Sequence, residues 1–348
     1  MTDAPAPEPI DAPPRSRRIL RRPSFSIGGL EVRAGRREIG ELPISRLVTG
    51  TQISLPISVV HGRHDGPVVW LSAAVHGDEI GGVEIIRRTL AAIEPSTLAG
   101  TIVAVPIVNV HGFLNGDRYL PDRRDLNRSF PGSPTGSLAA RIAHLFMTEI
   151  VSRSDVGIDL HTGSDHRTNL PHIRADLDDA QTRDLAIAFG APLMMHARLR
   201  DGSLREAATA TGSTVLLYEG GEAWRFDKQA IEVGVTGIGR VLRRLGLLSS
   251  LPDEFVGGVV PAESRSSGWV RARRSGIALL DVELGDHVER GQTIATIRDS
   301  VGRRLSSARA PRSGTVIGHI QQPLVNQGDA LIHIADVGRR IPEATNPE

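Results

Sequence analysis

From residue 67 the chain alternates short apolar, β-branched runs with longer amphipathic ones, and this alternation restricts its fold more than any other feature. "PVVWLSAA" (67–74) is followed by "GGVEIIRRTLAAI" (81–93) and then by "TIVAVPIV" (101–108). The pattern continues through a helical "LAARIAHLFMTEIVSR" (138–153), a strand "VGIDLH" (156–161) and a helical "DDAQTRDLAIAFG" (178–190). Strands "PLMMHA" (192–197) and "STVLLYEG" (213–220) come next, then a helical "DKQAIEVGVTGIGRVLRRLG" (227–246). Strands that alternate with helices predict an α/β fold, a mostly parallel mixed sheet flanked by helices. Such sheets bind ligands beyond the carboxyl ends of their strands, and the polar clusters of this chain lie at those ends.

After "GLLSSLP" (246–252) the character changes to short runs with turn residues every eight to twelve positions. This predicts a small all-β, barrel-like domain over 251–338, behind an α/β domain over 45–250 and before a tail at 339–348. "VELGDHVERGQTIATIRD" (282–299) and "APRSGTVIGHIQQPLVNQGDALIHIA" (310–335) resemble the two halves of a biotinyl/lipoyl-type barrel. Carriers of that type attach their cofactor to a lysine, and residues 250–348 contain none. A structural or lid-like role is what this leaves. Residues 1–44 read as a basic, partly disordered lead-in rich in Pro and Ala. Its "RSRRILRRP" (15–23) has no apolar stretch after it, so it is not a twin-arginine signal.

Composition removes several chemistries. Cysteine is absent, so disulfides, thiol nucleophiles and cysteine-ligated zinc are excluded, and any metal must sit on His, Asp and Glu. The net charge of +1 and the 3% aromatic content do not call for nucleic acid. No apolar run reaches the roughly 20 residues of a membrane span. A cytoplasmic protein with a small-molecule substrate is expected, and a homo-oligomer stays open.

"AAVHGDEIGG" (73–82) places His76 and Glu79 in a turn between a strand end and a helix start. Such a turn can direct both side chains at one divalent ion. A catalytic zinc commonly takes two His and one Glu and keeps a position open for water. The second histidine on offer is His161 of "DLHTGSD" (159–165), at the end of another apolar run and therefore at the same sheet edge. Asp159 lies two residues earlier on the same strand face, where it can accept the other imidazole N–H.

The Arg-dense segment "GDRYLPDRRDLNRSFPG" (116–132) is long enough for a functional loop. Its Asn127 and Arg128 suit recognition of a planar carboxylate, and a second Arg there can stabilise an oxyanion. "LLYEGG" (216–221) leaves Glu219 at a strand end, where a general base belongs, and turns Tyr218 to the opposite face. Asn169, His172 and Arg174, in the loop expected over 164–174, are candidate walls of the specificity pocket.

With HxxE, DLNRSFPG, DLHTGS and the late Glu in this order, residues 45–250 resemble the succinylglutamate desuccinylase/aspartoacylase family of zinc-carboxypeptidase-like hydrolases. The resemblance implies one Zn2+ per chain on His76, Glu79 and His161, with Glu219 as base and proton shuttle. It implies Asn127 and Arg128 as holders of the substrate carboxylate. Arg118 is the best match for the family's carbonyl electrophile, with Arg123 and Arg124 as nearer alternatives. The implied reaction is direct attack of water on an N-acyl amino acid, without an acyl-enzyme. Two other readings remain open from sequence, a metallocarboxypeptidase acting on a short peptide and a zinc-fold binding protein without chemistry.

Overall fold

The computed structural model describes residues 22–164 and 166–337. The twin-arginine-like stretch before Arg22 and the tail expected over 339–348 lie outside the described residues. The alternation from residue 67 onward is realised element by element. A short hairpin, β1 (Phe25–Ile27) and β2 (Leu30–Val32), precedes a long hairpin of β3 (Arg36–Arg46) and β4 (Gln52–His61). Then come β5 (His64–Ala73), α1 (Gly81–Ala91), β6 (Ala99–Val105), α2 (Val110–Asn115), α3 (Leu138–Glu149), β7 (Val156–Gly163) and β8 (Arg167–Ala175). They are followed by α4 (Ala180–Phe189), β9 (Leu193–His196), α5 (Leu204–Ala210), β10 (Thr214–Glu222) and α6 (Lys228–Arg244).

The sheet is parallel at its centre, where β6, β5, β7 and β10 lie side by side, and antiparallel on both flanks. On one flank β4 and β3 follow β6; on the other, β8 pairs antiparallel with β10. Two findings depart from the sequence reading. From Phe25 onward the expected lead-in is strand, with Ile27, Val32 and Leu42 in the core, and β3 is an edge strand. Its charged, half-exposed face hides the strand signal, as edge strands commonly do. The expected loop at 164–174 is mostly β8, a strand interrupted by Asn, Pro, His and Arg.

The two faces of the sheet differ in chemistry. On one, Leu160, Ile173, Leu216 and Tyr218 pack under α1, α4 and α6. Tyr218 is fully buried there and donates its hydroxyl to the Ala230 carbonyl at 2.6 Å, so it faces away from Glu219. The face of α6 toward the sheet carries Ile231, Val235, Ile238 and Leu242; the helix starts on Asp227, whose carboxylate accepts from the Ala230 N–H. Burying each such aliphatic side chain contributes about 2 kcal/mol. The opposite apolar cluster, around Trp70 and Phe146, supports α3 and α5.

The C-terminal strands are β11 (Ala262–Ser264), β12 (Ser267–Arg271), β13 (Gly276–Leu280), β14 (His287–Val288), β15 (Thr293–Arg298), β16 (Arg304–Arg309), β17 (Gly314–Ile320), β18 (Leu324–Val325) and β19 (Ala330–Ala335). One antiparallel sheet, β16-β15-β13-β18, closes over a core built around Val288, Ile294, Ile297 and Ile334. The other strands extend the main sheet itself. β17 pairs with β8 through Gly318–Asn169, His319–Thr168 and Ile320–Arg167, and β19 and β12 follow it. β9 covers the remaining half of that edge of β8, and β11 pairs with β9. The change of composition near residue 250 therefore marks no break in the sheet. Among the described residues, no helix is long and apolar enough to cross a membrane.

Candidate metal centre and active site

β5 ends at Ala73, and the chain turns through Ala74, a non-glycine residue at φ 48°, into the segment that carries His76 and Glu79. α1 then starts close against the strand ends. A Cβ on Gly82 would stand 2.7 Å from the Ala73 Cβ and 2.8 Å from the Leu160 Cβ, so only glycine permits this approach. The short connection holds Glu79 between two imidazoles. Its Oε1 accepts from His76 Nδ1 and its Oε2 from His161 Nδ1, both at 2.8 Å. The Thr162 backbone N–H also donates to Oε2, at 3.2 Å.

Each imidazole is oriented from behind by a second carboxylate. His161 Nε2 donates to Asp159 Oδ2 at 2.8 Å, and Ser72 donates to the other oxygen of Asp159 at 2.6 Å. His76 Nε2 donates to Asp125 Oδ1 at 3.2 Å. Burial opposes charge on both rings, but the surrounding carboxylates outweigh it: His76 is raised, and His161 lies well above the ordinary imidazole range. Burial would likewise raise Glu79, yet His76 and His161 hold it far below.

The donor atoms of His76, Glu79 and His161 lie within 4.8 Å of one another and are buried. Two imidazole nitrogens and a carboxylate oxygen, each backed by a further hydrogen bond, are a donor set that suits a divalent ion. An entering cation would take the place of the Nδ1 protons.

Around this centre is a cavity of about 1030 Å³. Glu219 stands half-buried in its wall, and burial raises its pKa against the opposing charges of His161 and Arg174. Its Oε2 accepts from Asn169 Nδ2 at 3.0 Å. Arg118 reaches the cavity and bridges Glu79 Oε1 at 3.1 Å and Asp125 Oδ2 at 3.3 Å. Arg123 and Arg124 stay on the exposed surface, where Arg124 faces Asp122 at 3.6 Å. Asn127 and Arg128 line the cavity together. The Asn127 side-chain oxygen accepts the Leu204 N–H at the start of α5, which leaves its NH2 group for a ligand; Arg128 donates to the Asn127 carbonyl.

All the residues singled out from sequence for the metal, the base and the substrate thus meet in one place, with Asp159 directly behind His161. Sequence reasoning passed over Asp125, although it opens the quoted "DLNR". Its side chain accepts from the Asn127 N–H at 2.8 Å, an Asx turn that an Asp two residues before such a pair can signal. It also missed the far wall, where Trp269 and His333 of the C-terminal strands stack at 4.6 Å. Nothing local in the sequence points from those strands to the cavity. Of the three residues proposed as pocket walls, Asn169 and Arg174 line it, and His172 sits buried with its Nε2 unpartnered.

Comparison with known proteins shows the family. Residues 65–245 match the model of the succinylglutamate desuccinylase/aspartoacylase catalytic domain. The N-alpha-acetyl-L-2,4-diaminobutyric acid deacetylase of Halomonas elongata is 30% identical over 298 residues, which span 82% of this chain and 86% of that protein. The crystal structure of a succinylglutamate desuccinylase/aspartoacylase from Rhodobacter sphaeroides is 28% identical, with a TM-score of 0.77 over 86% of this chain and 96% of that one. The product-bound ectoine utilization protein EutE of Ruegeria pomeroyi shares the fold, with a TM-score of 0.78 at 24% identity over 87% of this chain and 97% of that one. The chain belongs to the succinylglutamate desuccinylase/aspartoacylase family of deacylases.

Proposed function

We propose that the chain is a zinc-dependent amidohydrolase that removes the acyl group from an N-acyl amino acid. The observation that carries this reading is the convergence of His76, Glu79 and His161 in the same cavity as Glu219, Asn127 and Arg128. Zinc held by the three donors would supply Lewis acidity at the scissile carbonyl. Glu219, whose pKa is raised by burial, takes the proton of the attacking water and passes it to the leaving amine. Arg118 places a guanidinium beside the same centre, where negative charge develops on the carbonyl oxygen. Asn127 and Arg128 bind the carboxylate of the amino acid.

The cavity favours a small anionic substrate. Arg128, Arg174 and Arg205 line it without a carboxylate partner within salt-bridge distance among the described residues, so the wall carries uncompensated positive charge. Trp269 and His333, stacked on each other, add an aromatic wall to the same cavity. The relative from Halomonas elongata acts on an N-acetylated amino acid, in line with a deacylase.

The test is amine release by zinc-loaded protein from N-acetyl, N-succinyl and N-formyl amino acids, Nα-acetyl-2,4-diaminobutyrate and short dipeptides, with Glu219→Gln as the blank. Release from acyl amino acids that depends on Glu219 is the expected result. Release from dipeptides alone would move the protein to the carboxypeptidases, and silence of zinc-loaded protein across the panel would sink the reading.

A further inference from the structure

The hydrogen bond that holds Glu219 comes from a neighbouring strand, and a third strand governs the space behind it. On β8, Asn169 stands between two glycines: Gly221 of β10 on one side and Gly318 of β17 on the other. The β10–β8 ladder slips register between Glu219 and Gly221, and the β17–β19 ladder slips between Val316 and Gly318. Asn169 therefore lies where two irregularities meet.

A carboxylate only accepts hydrogen bonds, so the Asn169 amide must present its nitrogen to Glu219 Oε2, which it does at 3.0 Å. Its Oδ1 is then directed toward β17. A Cβ on Gly318 would stand 2.8 Å from that Oδ1, well inside van der Waals contact. Any other residue at 318 would push the amide, and the amide would release the carboxylate.

We infer that the C-terminal β unit positions the catalytic carboxylate, with Asn169 as a positioning residue for Glu219 and the missing side chain of Gly318 as the space Asn169 needs. The inference rests on the reading of Glu219 as base. A carboxylate that takes a proton from water and delivers it to an amine must keep one oxygen aimed at the scissile bond. With Oε2 held by Asn169, Oε1 is the oxygen free to do so.

The test uses full-length, zinc-loaded protein and the best amide of the panel. Asn169→Asp keeps the shape of the side chain but replaces the donor with a second carboxylate. It should lower kcat about ten- to a hundredfold, the usual cost of losing a hydrogen bond to a charged group, with KM within about twofold and zinc content unchanged. Asn169→Ala should do the same. Gly318→Ala should also lower kcat, but add little in the Asn169→Ala background, where the methyl group no longer meets the amide and its nearest neighbours are the Thr168 carbonyl oxygen at 3.3 Å and the His333 Cβ at 3.5 Å. That non-additivity separates positioning from a general loss of fold, which thermal melts of all four variants would register. A crystal structure of Asn169→Ala should show the Glu219 carboxylate turned from its present direction.

A KM increase with kcat preserved would make Asn169 a substrate contact only. Independent, multiplying losses at 169 and 318 would remove Gly318 from the account, and an unmoved Glu219 in the Asn169→Ala crystal would overturn the positioning. Glu219→Gln, measured alongside, separates the two levels. Full activity there overturns the base and its positioning together, whereas an inactive Glu219→Gln with an unimpaired Asn169→Asp overturns the positioning alone.

Discussion

β10 carries Glu219 between two neighbours that differ in nearly every respect. β7, on one side, is parallel to it, buried throughout, and brings His161 to the cavity with Asp159 behind it. β8, on the other side, is antiparallel and brings Asn169, His172 and Arg174 to the same region. On β7, His161 faces Glu79 and the candidate metal centre, and Asp159 holds it from behind. The residues of β8 act on what surrounds that centre, through hydrogen bonding, charge and burial. The comparison teaches that one strand of a site can specify its chemistry while the next specifies its setting, and the two should respond differently to substitution.

The largest effect is expected on the β7 side. On the proposed function, His161→Ala removes a zinc ligand and should leave purified protein with little zinc and no measurable hydrolysis; full metal content by elemental analysis would break the contrast at its root. On the strand between, Glu219→Gln should keep its zinc and lose about 10²- to 10⁴-fold in kcat, the range for a general base. Behind the ligands, Asp159→Asn and Asp125→Asn should each weaken metal binding by about ten- to a hundredfold, read by chelator competition. If only Asp159 mattered, the matching bond from Asp125 to His76 would be incidental.

A smaller change is expected at the substrate end. Arg128→Lys should raise KM about tenfold and leave kcat nearly intact, since a lysine keeps the charge but loses the paired donors. A kcat loss of equal size would move Arg128 from binding to chemistry.

The β8 side should appear most clearly in stability. Burial pushes His172 down to about 4 and His333 down to about 3, against about 6.5 in an unfolded chain. Well above pH 6.5 both are neutral in either state. As the pH falls from there toward 4, the unfolded chain takes up protons that the folded one refuses, so stability declines. For His172 alone the loss is about 2 kcal/mol by pH 5. His172→Leu should flatten the fall in melting temperature between pH 7 and pH 5, and an unchanged slope would show that the acid response arises elsewhere.

The same contrast explains what was legible in the sequence. β7 reads as a strand because a strand buried on both faces needs a nearly continuous apolar run, and "VGIDLH" is one, broken before His161 only by Asp159. β8 reads as a loop because its Asn, Pro, His and Arg carry the signals of one. Its identity as a strand comes from partners on both edges, far away in the chain. His76, Glu79 and His161 could be found together because each ends or follows an apolar run at the same sheet edge. Asp125 sat unnoticed inside a quoted motif, and Trp269 and His333 could not be placed at all, since their approach depends on how the C-terminal strands dock. The edge strand β3 was missed for a related reason, its outward face being charged where a core strand would alternate.

The pairing of β17 with β8 also orders events in time. During synthesis β8 is made long before β17, and until β17 arrives the half of its edge at Arg167–Asn169 has no strand to pair with. Such an open edge invites pairing with other chains. A nascent chain can thus hold His76, Glu79, His161 and Glu219 and still lack the strand that covers the edge of β8 beside Glu219. The arrival of β17 closes an edge of β8 that would otherwise stay open to other chains.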